Sequence, residues 1–375
     1  MNRYLLTTLI LLILSVFSSC KKNQNPQSGE CILLHGSFGA ICSNSNNEIM
    51  IFGNPCNGSD TILNIVKTDP EGSLIYEKAY HFNFSIHATS VIATDQDEYY
   101  LVTVQYLNSY LYGYDYKTML IKLNDNADTL FTKEIAITDY FIMSTMVRSA
   151  DKGLIILLSA TPINENVILE VSQNGDILSK TLAEWGLQYF VIADYPNGSR
   201  YIMKDGPLGY DSLRAIIHQF DKSGSMIKDF FLTRDNPVGK AFFSSQENNI
   251  LWLYPEGTNV GVICTDMGNH LINEQHYKVT DWYITSFYYI QQINGSNYAY
   301  GYCKEDIDSQ DYHICILKLS GNGLPEKFFN LGPTNFDHMP LCIAGLNDGR
   351  LAMVYPITDA EECDDCSCSG LWIYK

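Results

Sequence analysis

Short apolar strands and short polar turns alternate along the chain, in a pattern that recurs at a regular interval. Each copy contains an apolar strand that leads into a tight turn, as in Ile65–Gly72 and Leu169–Gly175. The turns of six copies end at Gly72, Ala127, Gly175, Gly224, Gly268 and Gly323, which lie 55, 48, 49, 44 and 55 residues apart. Self-similarity at a nearly fixed period indicates a repeat architecture.

Each unit contains four apolar strands. In the second unit they are Ser90–Thr94, Tyr99–Val104, Thr118–Leu123 and Thr129–Lys133. Four strands per unit are typical of a β-propeller blade, and continuous apolar runs fit strands buried between neighbouring blades. We find no segment with a convincing helical period and caps, so we expect almost no helix.

A seventh unit begins near Met339 and ends after three strands, at Tyr374. The strand it lacks is available at the other end of the chain, in Glu30–His35. Closure of the last blade by this N-terminal strand leaves no unpaired inner edge. We therefore predict an all-β fold, a seven-bladed β-propeller of four-stranded antiparallel blades, with six or eight blades as the alternatives.

No propeller subfamily is recognisable. The chain has no Trp-Asp dipeptide at repeating positions and no paired glycines of the kelch type. In general appearance it resembles bacterial lipoprotein propellers, including the one that assists outer-membrane protein assembly. This resemblance concerns the fold and is a weak guide to function.

The first residues predict export. Residues 1–19 contain one basic residue, an apolar run from Leu5 to Phe17 and then small residues, as in a secretory signal peptide. Phe17-Ser18-Ser19-Cys20 resembles the lipobox of bacterial lipoproteins, which implies lipidation of Cys20. An ordinary cleaved signal and an uncleaved anchor are the alternatives.

The residues that follow the signal peptide indicate in which membrane the protein is anchored. Residues 20–29 are polar and are predicted to be a flexible tether, and residues 30–375 a single propeller domain. The resemblance to lipoproteins, with Lys21 and Lys22 after the cysteine, implies an outer-membrane lipoprotein that faces the periplasm or the cell surface.

The net charge of the chain excludes one class of partner. With 24 basic and 42 acidic residues, the formal net charge is −18. Phosphate backbones are repelled by such a surface, so nucleic acid is excluded as a partner. We expect a monomer whose membrane contact is the lipid anchor.

Loops of unequal length distinguish the two faces of the predicted ring. The loops that join the second to the third strand of each blade are long: 53–61, 105–117, 160–166, 204–211, 254–259, 303–313 and 355–370. They lie with the blade-to-blade links on what we call the long-loop face; the remaining turns form the tight-turn face. Insertions on one face of a repeat protein usually mark its binding face.

The long loops are acidic and rich in tyrosine. They contain fifteen acidic and three basic residues, and the sixth contributes Asp306, Asp308 and Asp311. The second loop contains Tyr106, Tyr110, Tyr112, Tyr114 and Tyr116. Such side chains suit a cationic or polyhydroxyl partner, a glycan or a protein. Two other interpretations stand beside this one: solvated loops of an acidic protein, and an exposed hairpin that extends two strands.

Ten cysteines besides Cys20 favour disulfides in an exported protein. Cys303 and Cys315 are equidistant from Ser309, so a simple hairpin would place them opposite each other at the base of the sixth loop. The seventh loop contains Cys363, Cys366 and Cys368 among carboxylates. We interpret these three as disulfide candidates, with a metal site as the alternative.

Signals of catalysis are poor. The chain has no Gly-x-Ser-x-Gly, no His-Glu-x-x-His and no phosphate-binding glycine loop. We therefore expect no enzyme, no cofactor and no resident metal. The sequence predicts a lipid-anchored envelope propeller that binds or scaffolds a protein or glycan through its long-loop face. The alternative is a propeller hydrolase or lyase that acts on polysaccharide.

Overall fold

The computed structural model describes residues 29–374, except for a set of short segments. These are 56–59, 108–114, 139–140, 150–152, 162–164, 185–191, 195–199, 205–215, 222–225, 232–239, 245–248, 267, 269, 280, 294–295, 310, 321–322, 335–341 and 358–367. The predicted signal peptide, Cys20 and nearly all of the predicted tether lie outside the described residues. Within the described part, no helix is long and apolar enough to cross a membrane.

The described strands form seven four-stranded antiparallel sheets. The first three sheets are β2 (Gly36–Ser43), β3 (Ile49–Pro55), β4 (Ile62–Thr68), β5 (Leu74–His81); β6 (Ser85–Ala93), β7 (Tyr99–Leu107), β8 (Asp115–Leu123), β9 (Thr129–Thr138); and β10 (Phe141–Arg148), β11 (Leu154–Thr161), β12 (Glu165–Val171), β13 (Ile177–Glu184). The next three are β14 (Ile192–Asp194), β15 (Arg200–Lys204), β16 (Ile216–Phe220), β17 (Met226–Phe231); β18 (Lys240–Ser244), β19 (Asn249–Glu256), β20 (Asn259–Thr265), β21 (Leu271–Lys278); and β22 (Tyr283–Ile293), β23 (Ser296–Lys304), β24 (Tyr312–Leu319), β25 (Pro325–Thr334).

The last sheet closes the ring with the N-terminal strand. It contains β26 (Cys342–Gly345), β27 (Leu351–Ile357), β28 (Cys368–Tyr374) and β1 (Gly29–Leu34). β1 pairs with β28 from Gly29 opposite Tyr374 to Leu34 opposite Ser369. The predicted all-β propeller class and the predicted closing strand are therefore confirmed, and the sheets are consistent with seven blades.

The first strands of the sheets surround the axis of the ring. β2 contacts β6, β6 contacts β10, β10 contacts β14, β18 contacts β22, β22 contacts β26, and β26 contacts β2. The fourth and fifth sheets meet through β15 and β16 against β18. The beginning of each first strand therefore lies at the mouth of the central channel on the long-loop face.

Each inner strand contributes to two cores, because alternate side chains point to opposite faces of a sheet. In β3, Met50 and Phe52 pack against the second blade, whereas Ile49 and Ile51 pack against the seventh. Both sets of side chains are fully buried. This packing explains the continuous apolar runs in the sequence.

One turn geometry recurs on the tight-turn face. In each of these five-residue turns, the amide of the first residue donates to the carbonyl of the fifth, and the carbonyl of the first residue accepts the amide of the fourth. The turns are residues 44–48, 69–73, 94–98, 124–128, 172–176, 320–324 and 346–350. The first residue is Asn, Asp, Thr or Ser in six of these seven turns, and its side-chain oxygen accepts amides further along the same turn. The fourth residue has positive φ: Asn47, Gly72, Asp97, Ala127, Gly175, Gly323 and Gly349. The repeat seen in the sequence is the sequence signature of this turn.

Some of these turns also pack on the preceding blade. A Cβ atom at Gly175 would lie 2.7 Å from the ring of Phe131 in the second blade, whereas one at Gly349 would meet nothing within 4 Å.

We expect Gly349→Ala to lower the free energy of unfolding by about 1 kcal/mol through the positive φ of this position alone. Gly175→Ala should cost about 1–3 kcal/mol more, because it also overpacks the seam. Urea unfolding of the two variants measures the difference; equal costs would contradict this packing role.

A buried lysine joins the first blade to the second. Lys67 Nζ lies 2.8 Å from Glu48 Oε2 and 2.7 Å from Asp125 Oδ2, and its side chain is 4% exposed. Tyr99 donates its hydroxyl to Asp125 Oδ1 at 2.8 Å. Tyr76 donates its hydroxyl to the carbonyl of Asp125, also at 2.8 Å. The 124–128 turn of the second blade is thus anchored in the first.

Candidate functional site

Backbone hydrogen bonds hold the long loops and the blade-to-blade links together on one face. Phe82 donates its amide to the carbonyl of Thr61 at 2.8 Å, and Ile86 donates its amide to that of Asp60 at 2.7 Å. Between the fifth and sixth blades, Ile284 donates its amide to the carbonyl of Gly257 at 2.7 Å. One predicted long loop is different: β19 and β20 are joined by Gly257-Thr258 alone, because both strands extend further than their apolar residues suggest.

Two of the five predicted tyrosines belong to strands. Tyr106 in β7 pairs with Tyr116 in β8, and their rings meet edge to face with centroids 5.0 Å apart. Both side chains are half-buried. The hairpin interpretation is therefore correct for these two residues, while Tyr110, Tyr112 and Tyr114 lie outside the described residues.

The three predicted acids of the sixth loop are all exposed. The carboxylate of Asp306 accepts the amide of Asp308 at 2.9 Å and the amide of Ser309 at 2.7 Å, which fixes the turn locally. Asp311 lies at the end of the same loop, before β24. The loop thus presents several carboxylates to solvent, and their role in binding stays a prediction.

An aromatic group supports the base of the sixth loop. The rings of Trp282 and His313 are 4.7 Å apart, and His313 Nδ1 lies 3.3 Å from Asn330 Oδ1. Burial lowers the pKa of His313, although its contact with Asn330 and the carboxylates of Glu305 and Asp311 oppose this shift. His313 is 7% exposed, so we assign it a structural role.

The cysteines below the sixth loop are close together but not directly opposite. Cys303 pairs with His313 and Cys315 with Gly301, so that the two cysteines are diagonal neighbours. This register centres the hairpin on Asp308, one residue before Ser309, the centre that the sequence predicted. Both side chains are buried and free, and they contact each other through a hydrogen bond. Their oxidation to a disulfide stays a prediction.

The cysteines of the seventh loop are only partly described. Cys363 and Cys366 lie outside the described residues, and Cys368 begins β28 in a buried position. Within the described residues, no group of three or more His, Cys, Asp or Glu side chains has the geometry to hold a metal ion. The disulfide and metal interpretations of this loop are untested.

A group of polar side chains that the sequence did not predict lies at the channel mouth. Ser85 begins β6, the first strand of the second blade, and His87 follows two positions later. Ser85 donates its hydroxyl to Asp60 Oδ2 at 3.0 Å, and its oxygen lies 3.3 Å from His87 Nε2. Asn54 fixes the backbone around them, because its amide group donates to the carbonyls of Ile62 at 2.9 Å and Ile86 at 2.8 Å.

The protons of this group can be assigned from the number of donors. The Ser85 hydroxyl has one proton and Asp60 can only accept, so this proton lies towards Asp60. The Ser85–His87 contact of 3.3 Å is then a hydrogen bond only in the tautomer in which Nε2 of His87 donates to the serine oxygen. His87 is exposed to solvent, yet burial lowers its pKa, with the carboxylate of Asp60 opposing the shift. Both properties fit the position of His87 near the beginning of β6, where the strand leaves the core for the long-loop face.

The titration of His87 tests this arrangement. We expect its pKa to lie below the ordinary value of about 6.5 and to fall further in Asp60→Asn, because the carboxylate favours the imidazolium. The other seven histidines serve as internal references in a proton NMR titration of the ring signals. A His87 pKa above 7, or one that rises in Asp60→Asn, would contradict the geometry.

Comparison with known proteins supports the propeller fold but shows no family to which the chain belongs. No family model and no curated protein matches the chain. Among solved structures, Sqt1 of Chaetomium thermophilum has a TM-score of 0.51 at 12% identity, over 91% of this chain and 96% of that one. The Dos1 propeller has a TM-score of 0.48 at 11% identity, over 91% and 93% of the two chains. BBS1N, solved in complex with ARL6DN, has 0.49 at 9%, over 95% and 96%. At these identities the likeness concerns the fold alone.

Proposed function

We propose that the protein is a lipid-anchored envelope propeller that binds a protein or glycan partner through its long-loop face and has no catalytic activity. The observation that carries the proposal is the difference between the two faces. On the tight-turn face, short turns are fixed by their own side chains and by neighbouring blades. The long-loop face has the predicted insertions, the exposed carboxylates of the sixth loop and the half-buried pair Tyr106 and Tyr116.

The path of the chain supports the same orientation. Gly29, where β1 begins, pairs with Tyr374, and Leu34 at the other end of β1 leads to the long-loop face. The chain that precedes Gly29 therefore joins the ring on the tight-turn face. Eight residues, 21–28, lie between Cys20 and Gly29, so the two can be at most about 30 Å apart. With a lipid on Cys20, the long loops would point away from the membrane, towards a partner.

Neutralisation of the sixth loop tests the proposal. The variant combines Glu305→Gln, Asp306→Asn, Asp308→Asn and Asp311→Asn; the matched control converts Asp69, Asp97, Asp176 and Asp348 of the tight-turn face to Asn. Capture of cross-linked partners from native cells should fall about tenfold or more in the first variant and stay within twofold in the control. Undiminished capture by the first variant would contradict the proposal.

The channel-mouth group brings a carboxylate and an imidazole together, which favours the alternative of a polysaccharide-directed hydrolase. The composition of the group argues against this alternative. Glycoside hydrolysis ordinarily uses two carboxylates, and Asp60 is the one carboxylate that contacts Ser85 in the described part of the chain. Turnover of an envelope or dietary polysaccharide that is lost in His87→Gln would establish the hydrolase instead.

A further inference from the structure

We propose that Trp282, Glu305 and Asp311 form a binding site for a neutral sugar ring, at the seam between the fifth and sixth blades on the long-loop face. The inference rests on the proposed function and narrows it, because it names one site and selects a glycan as the ligand. Trp282 ends the link between β21 and β22, and the two carboxylates flank the sixth loop.

The strand register brings the two carboxylates to one side of the sixth blade. The last pair of the ladder between β23 and β24 is Cys303 and His313. Glu305 and Asp311 each lie two positions beyond this pair, on the two sides of the loop. Because side chains alternate between the two faces of a hairpin, both carboxylates share the face of His313.

The indole reaches the same place from the link that precedes the sixth blade. The rings of Trp282 and His313 are 4.7 Å apart. The carboxylates of Glu305 and Asp311 lie close enough to His313 to oppose the lowering of its pKa by burial. His313 is therefore the common neighbour of the three side chains, which gather around one buried ring.

The polar atoms that remain at this place include a donor and several acceptors. Within the described part of the chain, the indole N–H of Trp282 and the carboxylates of Glu305 and Asp311 make no hydrogen bond. His313 is 7% exposed, and its Nδ1 donates to Asn330 Oδ1, which leaves Nε2 as an acceptor without a partner there. A sugar hydroxyl both donates and accepts, whereas an ammonium group only donates and would leave the indole N–H unmet.

The indole is held in place before a ligand arrives. Trp282 is half-buried and packs against the core between the fifth and sixth blades. On one side of it, Val279 donates its amide to the carbonyl of Thr258 at 2.8 Å. On the other side, Ile284 donates its amide to the carbonyl of Gly257 at 2.7 Å. A flat apolar ring with a polar edge, fixed in this way, suits the C–H face of a sugar and loses little conformational entropy on binding.

The charge of the surroundings selects a neutral sugar. Glu305 and Asp311 are exposed carboxylates on a protein of formal net charge −18. An acidic sugar is repelled by such a surface. Hydroxyl groups of a neutral sugar instead donate charge-assisted hydrogen bonds to the two carboxylates.

The test measures the binding of neutral hexasaccharides of glucose, mannose and N-acetylglucosamine to the purified full-length protein by isothermal titration calorimetry. We expect at least one of them to bind, with affinity reduced about tenfold or more in Glu305→Gln, Asp311→Asn and Trp282→Leu. The matched control is Asp308→Asn, which removes an exposed carboxylate from the tip of the same loop and should change affinity less than twofold. The melting temperature of each variant reports its folding, and the exposed Glu305 is the position at which substitution disturbs packing least.

Four results would overturn the inference. The first is that none of the three hexasaccharides binds. The second is an equal loss in Glu305→Gln and Asp308→Asn, which would show an effect of net charge alone. The third is Glu305-dependent binding of a peptide with three lysines separated by glycines, which would make this a cation site. The fourth is hydrolysis of the bound hexasaccharide, which would make the two carboxylates catalytic.

The proposed function is judged by a separate readout. If the sixth-loop variant loses capture of a protein partner while no hexasaccharide binds, the proposed function stands and the sugar site falls.

Discussion

Replacement of Lys67 with methionine should lower the free energy of unfolding by about 3 kcal/mol. The side chain is 4% exposed and its ammonium group lies between Glu48 and Asp125, at 2.8 and 2.7 Å. Without it, two carboxylates face each other at a blade seam with no ammonium group of Lys67 between them, and the 124–128 turn loses one of its contacts with the first blade. Urea unfolding followed by the fluorescence of the four tryptophans measures the loss.

Lys78→Met is the matched control. Lys78 makes a comparable contact between the same two blades, 2.9 Å from Asp128, but the two side chains are 37% and 62% exposed. An exposed pair contributes roughly 0–1 kcal/mol, so this variant should unfold close to the wild type. Equal destabilisation by both variants would contradict the assignment of Lys67 as the buried link.

The contacts of Asp125 in this network predict how the stability of the protein changes as the pH falls. Burial raises the pKa of Asp125, but hydrogen bonds from Lys67, Tyr99 and Asn44 outweigh it and hold the pKa below its usual value. A carboxyl group with a lowered folded pKa contributes stability above its unfolded pKa and loses that contribution as the pH falls through the folded pKa. The wild type should therefore keep the contribution of Asp125 to lower pH than Lys67→Met does.

Removal of β1 should have the largest effect on stability. A chain that begins at Gly36 lacks the strand that pairs with β28, and Leu33 and Leu34, which are 2% and 4% exposed, no longer fill the seam. The lost ladder and apolar contacts amount to about 5 kcal/mol or more. The temperature of thermal unfolding should be much lower than that of a chain that begins at Gly29. Identical melting of the two chains would contradict closure of the ring by β1.

A point variant isolates the apolar part of this effect. Leu34 packs in the core between the seventh and first blades. Leu178, also on the fourth strand of its sheet, is 63% exposed. Leu34→Ala should cost about 2–4 kcal/mol and Leu178→Ala less than about 0.5. A small cost at Leu34 would show that the closing strand contributes pairing without packing.

The architecture was predictable because each unit repeats the same local chemistry. The Asn, Asp, Thr or Ser that begins each tight turn and the positive φ of its fourth residue depend on neighbours in sequence, so they recur visibly. Closure by Glu30–His35 followed from the missing strand of the last unit. The observed strand, Gly29–Leu34, differs by one residue at each end.

Contacts between distant segments were the part that sequence reasoning missed. Asp60 belongs to the first unit and Ser85 and His87 to the second, and the hydrogen bonds from Phe82 to Thr61 and from Ile86 to Asp60 bring the two segments together. A Ser-x-His pattern at the beginning of a first strand was the available signal. The diagonal placement of Cys303 and Cys315 likewise depends on a hairpin register that residue spacing does not fix.

The central claim is that partners bind the long-loop face. Site-specific photo-cross-linking in native cells tests it most directly, with a photoreactive amino acid at position 87 or 307 on this face and at position 96 or 174 on the tight-turn face. All four positions are exposed. We predict discrete cross-linked products from positions 87 and 307 and none from 96 and 174. Products from the tight-turn positions alone, or equally from both faces, would contradict the account.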